Sequence, residues 1–187
     1  DAGTDEAPIA TFSTYYVTGS DDVSKHGKEV NIGVNCDYIN NEILQSGKTI
    51  NYNNHYGPFY PSKGYVKGPV LIETGWGLGP GGGVCQVSST LFNAAAMANM
   101  EIVYSSPHAW PSTYVAPGRD ATVDWQSYQS LDQSLDFKFK NTSDYPIFIV
   151  AYVTGSNYNK DCKCTVEIYG VAFKDGISID LQTELVS

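Results

Sequence analysis

Residues 75–100 read G-W-G-L-G-P-G-G-G-V-C-Q-V-S-S-T-L-F-N-A-A-A-M-A-N-M, and the character of the chain changes inside this run. Up to Gly83 it reads as a glycine-rich loop, whose backbone can take positive φ angles and approach a ligand closely. From Val84 the pattern turns helical, with Val87, Leu91, Ala94 and Ala98 at i, i+4, i+7 and i+11. Cys85 stands at the junction. A thiol there meets the partial positive charge and open N–H groups of a helix N-terminus, which favour thiolate over thiol. The backbone of Gly82, Gly83 and Val84–Gln86 would then hold an oxyanion formed by attack on a carbonyl. The alternative is an inert cysteine buried beside a tight turn.

Working upstream, residues 9–17, I-A-T-F-S-T-Y-Y-V, are β-branched and aromatic and predict a strand. G-S-D-D-V-S-K-H-G-K reads as a loop. Val30–Leu44 predicts a helix, because Ile32, Cys36, Ile39 and Ile43 share one face, with Cys36 in the core. Between residues 45 and 74, turn dipeptides leave extended pieces at Lys48–Tyr52 and Val70–Thr74 around a long irregular loop that carries His55.

Downstream, Glu101–Tyr104 predicts a return strand. S-S-P-H-A-W-P then forms a proline-bounded loop, Tyr114 and Val115 read as extended, and a Pro-Gly turn leads into a strand at A-T-V. D-F-K-F-K alternates as a half-buried strand does. P-I-F-I-V-A-Y-V, residues 164–173 and residues 176–185 predict three more strands, so the last third reads as an antiparallel meander.

The 187 residues suit one core, with residues 1–8 as a flexible polar lead-in, in the manner of a trimmed or mature terminus. Twenty acidic against 11 basic residues give a net charge of −9, which argues against nucleic acid or an anionic membrane surface as partner. Fourteen tyrosines among many polar residues fit a β-rich surface facing polar polymers. No apolar run is long enough to span a bilayer. The cysteines (Cys36, Cys85, Cys162, Cys164) have neither zinc nor disulfide-framework spacing, and C-x-C at 162–164 predicts free thiols or a labile bond at a hairpin rim, since an i, i+2 bridge would be strained. His26, His55 and His108 lie too far apart to imply a metal site, and no cofactor is expected.

A cysteine nucleophile works best beside an imidazole that takes its proton and later protonates the leaving amine, with a third polar group orienting the ring. His108 follows Cys85 by 23 residues (108 − 85), enough for one helix and a short return strand to bring the chain back. Asp120, after the Pro-Gly turn, is the acid best placed for the third role. A rim histidine and a turn aspartate are the plainer readings of each residue alone.

Taken together, G-G-G-V-C-Q-V-S-S-T-L-F-N-A-A, E-I-V, S-P-H-A-W-P, Y-V-A-P-G-R-D-A-T-V and L-D-F-K-F-K-N-T-S-D-Y-P-I resemble the VanW domain family of bacterial, chiefly Gram-positive, cell-envelope proteins. The match runs more loosely upstream through G-P-F-Y-P-S-K-G-Y. The resemblance implies an extracellular, wall-associated protein. It further implies an L,D-transpeptidase acting on peptidoglycan stem peptides, with Cys85 as nucleophile, His108 as base and Asp120 as its partner. Gln86 and Ser88 would line the site, and Arg119 would meet a substrate carboxylate, with a surface ion pair as the plainer reading of that residue. Where the family usually has S-T-T-L-Y this chain has S-S-T-L-F, and Ala109 and Trp110 stand where a serine usually follows the histidine, which would alter how the peptide is held. The expected fold is α+β, one domain with a twisted, mostly antiparallel sheet packed with two main helices. The rival functions are a non-catalytic peptidoglycan- or glycopeptide-binding module and a cysteine peptidase or L,D-carboxypeptidase of the wall.

Overall fold

The computed structural model describes residues 7–18, 23–72, 75–125, 135–155, 162–173 and 177–184. Strand β1 (Ala10–Tyr16) leads to helix α1 (Val23–Ile39), then β2 (Glu42–Leu44), β3 (Thr49–Asn51) and a short helix α2 (Tyr52–Tyr56). A 3₁₀ turn at Pro61–Lys63 precedes β4 (Lys67–Ile72) and β5 (Gly75–Pro80), followed by helix α3 (Val84–Met97). β6 (Glu101–Ser105), β7 (Phe137–Lys140), β8 (Ile147–Thr154) and β9 (Cys162–Tyr169) complete the described elements. The strands form three antiparallel sheets, ordered β1-β9-β8-β2, β3-β7-β6 and β4-β5. The fold is α+β, as expected.

Alternation does most of the work in the sheets. Ile147, Ile149 and Ala151 of β8 face the core, as do Cys162, Cys164, Val166 and Ile168 of β9. β7 turns Phe137 and Phe139 inward, stacked with centroids 5.1 Å apart, and Phe137 meets Phe92 of α3 edge-on. α1 and α3 pack on each other and on this core. Each large apolar side chain so buried contributes ~1.5–3 kcal/mol. Among the described residues no helix is long and apolar enough to cross a membrane.

Several expectations are corrected. α1 begins at Val23, inside the stretch read as a loop, and ends at Ile39 rather than Leu44. Its first turns look polar because Lys25 and His26 face solvent. It stops at Asn40–Asn41, where Asn41 takes φ 67°, a left-handed value that asparagine tolerates. Ile43 therefore lies in β2 and is exposed. The glycine-rich run is half strand: residues 75–80 pair with β4, and only Gly81–Gly83 turn. Between β3 and β4 the expected irregular loop holds α2 and the 3₁₀ turn.

Tyr114 and Val115 lie in bends, and the segment after the Pro-Gly turn is no strand, being tied to the end of β6 by Thr122 N–H to Ser106 C=O at 2.7 Å. Residues 177–184 form no strand either. β9 is flanked on both sides, by β1 and β8, so it has no free edge to extend a meander. Cys162 and Cys164 are core residues rather than rim residues, and all four cysteines are free thiols. Residues 1–6 of the lead-in, Thr74, and the end positions 176 and 185 of the last expected strand lie outside the described residues.

Candidate active site

Glycine lets three backbones meet just ahead of Cys85. A Cβ on Gly27 of α1 would lie 1.9 Å from the Lys67 carbonyl oxygen, and one on Gly82 would lie 2.2 Å from the Gly68 carbonyl carbon. Asn31, fully buried on α1, clamps the junction. Its Nδ2 donates to Val66 C=O (2.9 Å) and Gly82 C=O (2.8 Å), and its Oδ1 accepts from Val66 N–H at 2.8 Å. Gly83, at φ 113°, caps α3 without a side chain. Cys85 is thus the second residue of a helix whose start is fixed from outside.

Val84 N–H is taken up by Gly81 C=O and Gln86 N–H by Gly83 C=O, both at 3.0 Å. Neither is open for an oxyanion, which narrows that expectation to the Cys85 N–H. The Cys85 N–H instead interacts with its own sulfur.

The Cys85 thiol donates to Val123 C=O at 3.3 Å and keeps part of its surface accessible. Crowding by protein atoms pushes its pKa from 9.0 up to about 11; the hydrogen bond to Val123 C=O opposes this, the carboxylates of Asp124 and Asp120 add smaller upward pushes, and the Cys85 backbone a smaller downward one. The expected depression is therefore overturned in the resting state. The rise corresponds to a few kcal/mol, at ~1.4 kcal/mol per pKa unit, more than the ~0.3–1 kcal/mol a helix dipole commonly supplies. Burial wins.

His108 and Asp120 form a tight pair. Asp120 Oδ2 accepts from the backbone N–H and from Nδ1 of His108, each at 2.6 Å, with side chains 15% and 9% exposed. A carboxylate accepting at Nδ1 leaves the lone pair on Nε2, which has no hydrogen-bond partner among the described residues. That is the tautomer a general base needs. No hydrogen bond joins this ring to Cys85; the thiol's bond goes to Val123.

The polar face of α3 explains how these groups share one place. Ser88 Oγ donates to Ala121 C=O at 2.5 Å, and Ser89 Oγ accepts from Ala121 N–H at 3.0 Å while donating to Cys85 C=O at 2.7 Å. Asn93 Nδ2 donates to Arg119 C=O at 2.8 Å. The segment 119–123 is thereby laid along the helix, with Asp120 aimed at His108 and Val123 C=O at the thiol. Tyr114 fills the centre: its hydroxyl meets Ser89, Cys85 and Asp120 lie near enough to raise its pKa beyond what burial does, and its ring stands edge-on to His108 with centroids 6.4 Å apart.

Sequence reasoning missed Asn31, Ser89, Asn93, Tyr114 and Lys28, whose Nζ lies 5.5 Å from the Tyr114 ring centroid. One available signal was the run of polar residues on α3 beside an apolar stripe, since buried hydroxyls and amides require partners.

The structure brings Cys85, His108 and Asp120 into this cluster and moves several expected lining residues out of it. Gln86 is 1% exposed and points to β1, its Nε2 donating to Thr14 Oγ1 and Tyr15 C=O, both at 3.0 Å. Ser88 and Val84 are likewise buried, and Gly82 is occupied by the β4 contact. Trp110, two residues after His108, is 69% exposed. Arg119 makes no ion pair among the described residues, and its Nε is buried without a hydrogen-bond partner. No group of three or more His, Cys, Asp or Glu side chains among the described residues could hold a metal ion.

A profile of the family described as "VanW like protein" matches residues 27–169. The "Uncharacterized protein YoaR" of Bacillus subtilis (strain 168) is 38% identical over 128 residues, which is 68% of this chain and 40% of that protein. The chain thus spans well under half the length of this relative. No solved structure matches. The matched span contains α1 from Gly27 onward, together with Cys85, His108 and Asp120.

Proposed function

The chain belongs to the VanW family, and from that premise we propose that it is a wall-associated acyltransferase, working outside the cell on peptidoglycan stem peptides with Cys85 as nucleophile. The observation that carries the reading is the His108–Asp120 pair, with Nε2 left open, in one cluster with a thiol at a helix N-terminus. The reaction is L,D-transpeptidation. The thiol proton of Cys85 passes to His108 Nε2, and the sulfur attacks the carbonyl carbon of the third residue of a tetrapeptide stem. The oxyanion forms beside the Cys85 N–H. Collapse breaks the amide bond, and the terminal residue leaves as an amine carrying the proton from His108. An amine of a second stem then attacks the thioester, gives its proton to His108 and releases the 3→3 cross-link, after which the thiol regains its proton.

The raised thiol pKa fits this order of events. A lone thiolate beside Asp120 and Asp124 is disfavoured, whereas a thiolate–imidazolium pair carries no net charge and Asp120 stabilises its cationic half. The same neutral thiol, bonded to Val123 C=O, favours a second reading as a non-catalytic module that binds the same peptides.

Incubation with disaccharide-tetrapeptide, followed by chromatography and mass spectrometry, separates the two. The wild-type protein should yield 3→3 dimer and an acyl-enzyme on Cys85. Cys85→Ser should abolish both, a loss of about a thousandfold or more, because the hydroxyl is a far weaker nucleophile. His108→Ala should cost ~10²–10⁴-fold. Release of tripeptide without dimer makes water the acceptor and the enzyme a carboxypeptidase. Binding without acyl-enzyme, dimer or tripeptide refutes catalysis.

A further inference from the structure

We infer that Lys28 is the receptor for a substrate carboxylate, so that the site selects stem peptides ending in a free carboxylate one residue beyond the attacked amide. The inference rests on Cys85 as the reacting group and adds the group that chooses its substrate.

Lys28 lies in α1, three residues before the Asn31 clamp, and its stem runs alongside the residue that starts α3. A Cβ on Gly83 would lie 3.0 Å from Lys28 Cγ and 3.0 Å from its carbonyl oxygen. Its ammonium faces the Tyr114 ring, 5.5 Å from the centroid. Tyr114 in turn stands edge-on to His108 and neighbours Cys85. The cation therefore shares the Tyr114 ring with the base, and its stem lies beside the cap of the nucleophile's helix. Among the described residues it has no carboxylate partner.

Burial lowers the pKa of Lys28, so holding it there as a cation has a cost. The chain carries a surplus of acids, yet none of those described is placed against it. Meanwhile the fixed charges nearest Cys85 are those of Asp124 and Asp120, which repel an anionic peptide. An incoming carboxylate would supply the missing counter-ion and, with Lys28, offset that repulsion. Arg119, the cation expected for this role, makes no hydrogen bond, ion pair or ring contact with Cys85, His108 or Tyr114 among the described residues, whereas the Lys28 ammonium lies over the Tyr114 ring.

The test compares a disaccharide-tetrapeptide with its C-terminal carboxamide. Binding is measured by calorimetry on the Cys85→Ser protein and on Cys85→Ser/Lys28→Met, since methionine keeps the stem against Gly83 and removes the charge. Turnover of both peptides is measured with wild type, Lys28→Met and Lys28→Arg. The acid should bind about tenfold or more tightly than the amide, as a charge-assisted bond allows. Lys28→Met should erase that preference by weakening acid binding and raising its KM, leaving the amide unchanged, and Lys28→Arg should restore much of it. Retention of the preference in Lys28→Met, equal losses for acid and amide, or no binding of either peptide to the Cys85→Ser protein overturns the assignment. A Lys28-dependent preference in a wild-type protein that forms no acyl-enzyme keeps the receptor and sinks the nucleophile. Turnover with an unchanged preference does the reverse.

Discussion

Replacing Gly27 by alanine should unfold the junction that presents the active-site helix, while the same change at Gly33 should strengthen the protein. Both glycines lie inside α1, so both substitutions gain helix propensity of roughly 0.5–1 kcal/mol. At Gly33 a Cβ meets nothing within 4 Å, and the gain stands alone. At Gly27 it would lie 1.9 Å from Lys67 O, 2.9 Å from Lys67 C and 3.1 Å from Gly68 Cα, all backbone atoms. Ordinary contact begins at 3.4 Å, so α1 and β4 must part by about 1.5 Å (3.4 − 1.9), with no side chain able to swing aside.

Overpacking of this kind costs ~1–3 kcal/mol. Parting the elements also strains the Asn31 bonds to Val66 and Gly82, each contributing ~0.5–1.5 kcal/mol. The two variants should therefore differ by about 3 kcal/mol or more, with Gly27→Ala the weaker. Urea unfolding followed by far-UV circular dichroism reads this as a midpoint gap of roughly 1 M or more, taking a slope near the usual range. The proposed crossing is refuted if Gly27→Ala unfolds within the error of Gly33→Ala. Equal midpoints would mean that α1 does not approach β4 through a bare backbone.

Iodoacetamide labelling of resting Cys85 should rise about tenfold per pH unit from neutrality upward and level off only near pH 11, where the thiol titrates; a plateau below pH 9, read by peptide mass spectrometry, would contradict a burial-raised thiol. Cys36, sealed in the core with its own pKa raised by Cys164 and burial, should label more slowly throughout. Asp136 is buried and its pKa is raised chiefly by desolvation, against hydrogen bonds from Asn53 and Phe137 N–H groups. A raised acid stabilises the fold below its unfolded pKa and loses that contribution as pH climbs through the folded value. Asp136→Asn should therefore gain stability relative to wild type between about pH 4 and pH 7 in thermal melts, and a constant difference across that range would refute it.

How much could be read from the sequence depended on whether a residue's partner was local. β7 and β8 were legible because Phe137–Phe139 and Ile147–Ala151 alternate against a core in a period fixed by the backbone. α3 was legible from Val87, Leu91 and Ala94 for the same kind of reason. The start of α1 was hidden, because Gly27 is poor in helix propensity and is there for a contact with Lys67, far away in sequence. β5 was hidden because its alternating glycines read as a loop until β4 is beside them.

The site divides the same way. Cys85, His108 and Asp120 could be named from chemistry and resemblance, but not the protonation state of the thiol. That depends on how many atoms crowd the sulfur, which no spacing reveals. Gln86 and Ser88 were assigned to the substrate because they are polar and flank the cysteine. They turn inward because α3 needs polar anchors to β1 and to residues 119–123.

That division of labour on α3 ties nucleophile and base together mechanically. The helix that carries Cys85 also holds Ala121 by both its N–H and C=O through Ser89 and Ser88, and Arg119 through Asn93. Asp120 lies between those two anchors, and its carboxylate fixes both the backbone and the ring of His108. A displacement of the helix start therefore moves the thiol and the imidazole as one body, preserving their mutual geometry while changing their relation to Lys28 on α1. Conversely, loosening the serine clamp frees Asp120 and the Val123 carbonyl without moving Cys85. Damage to the glycine junction should thus appear first in substrate binding, and damage to the clamp first in proton transfer.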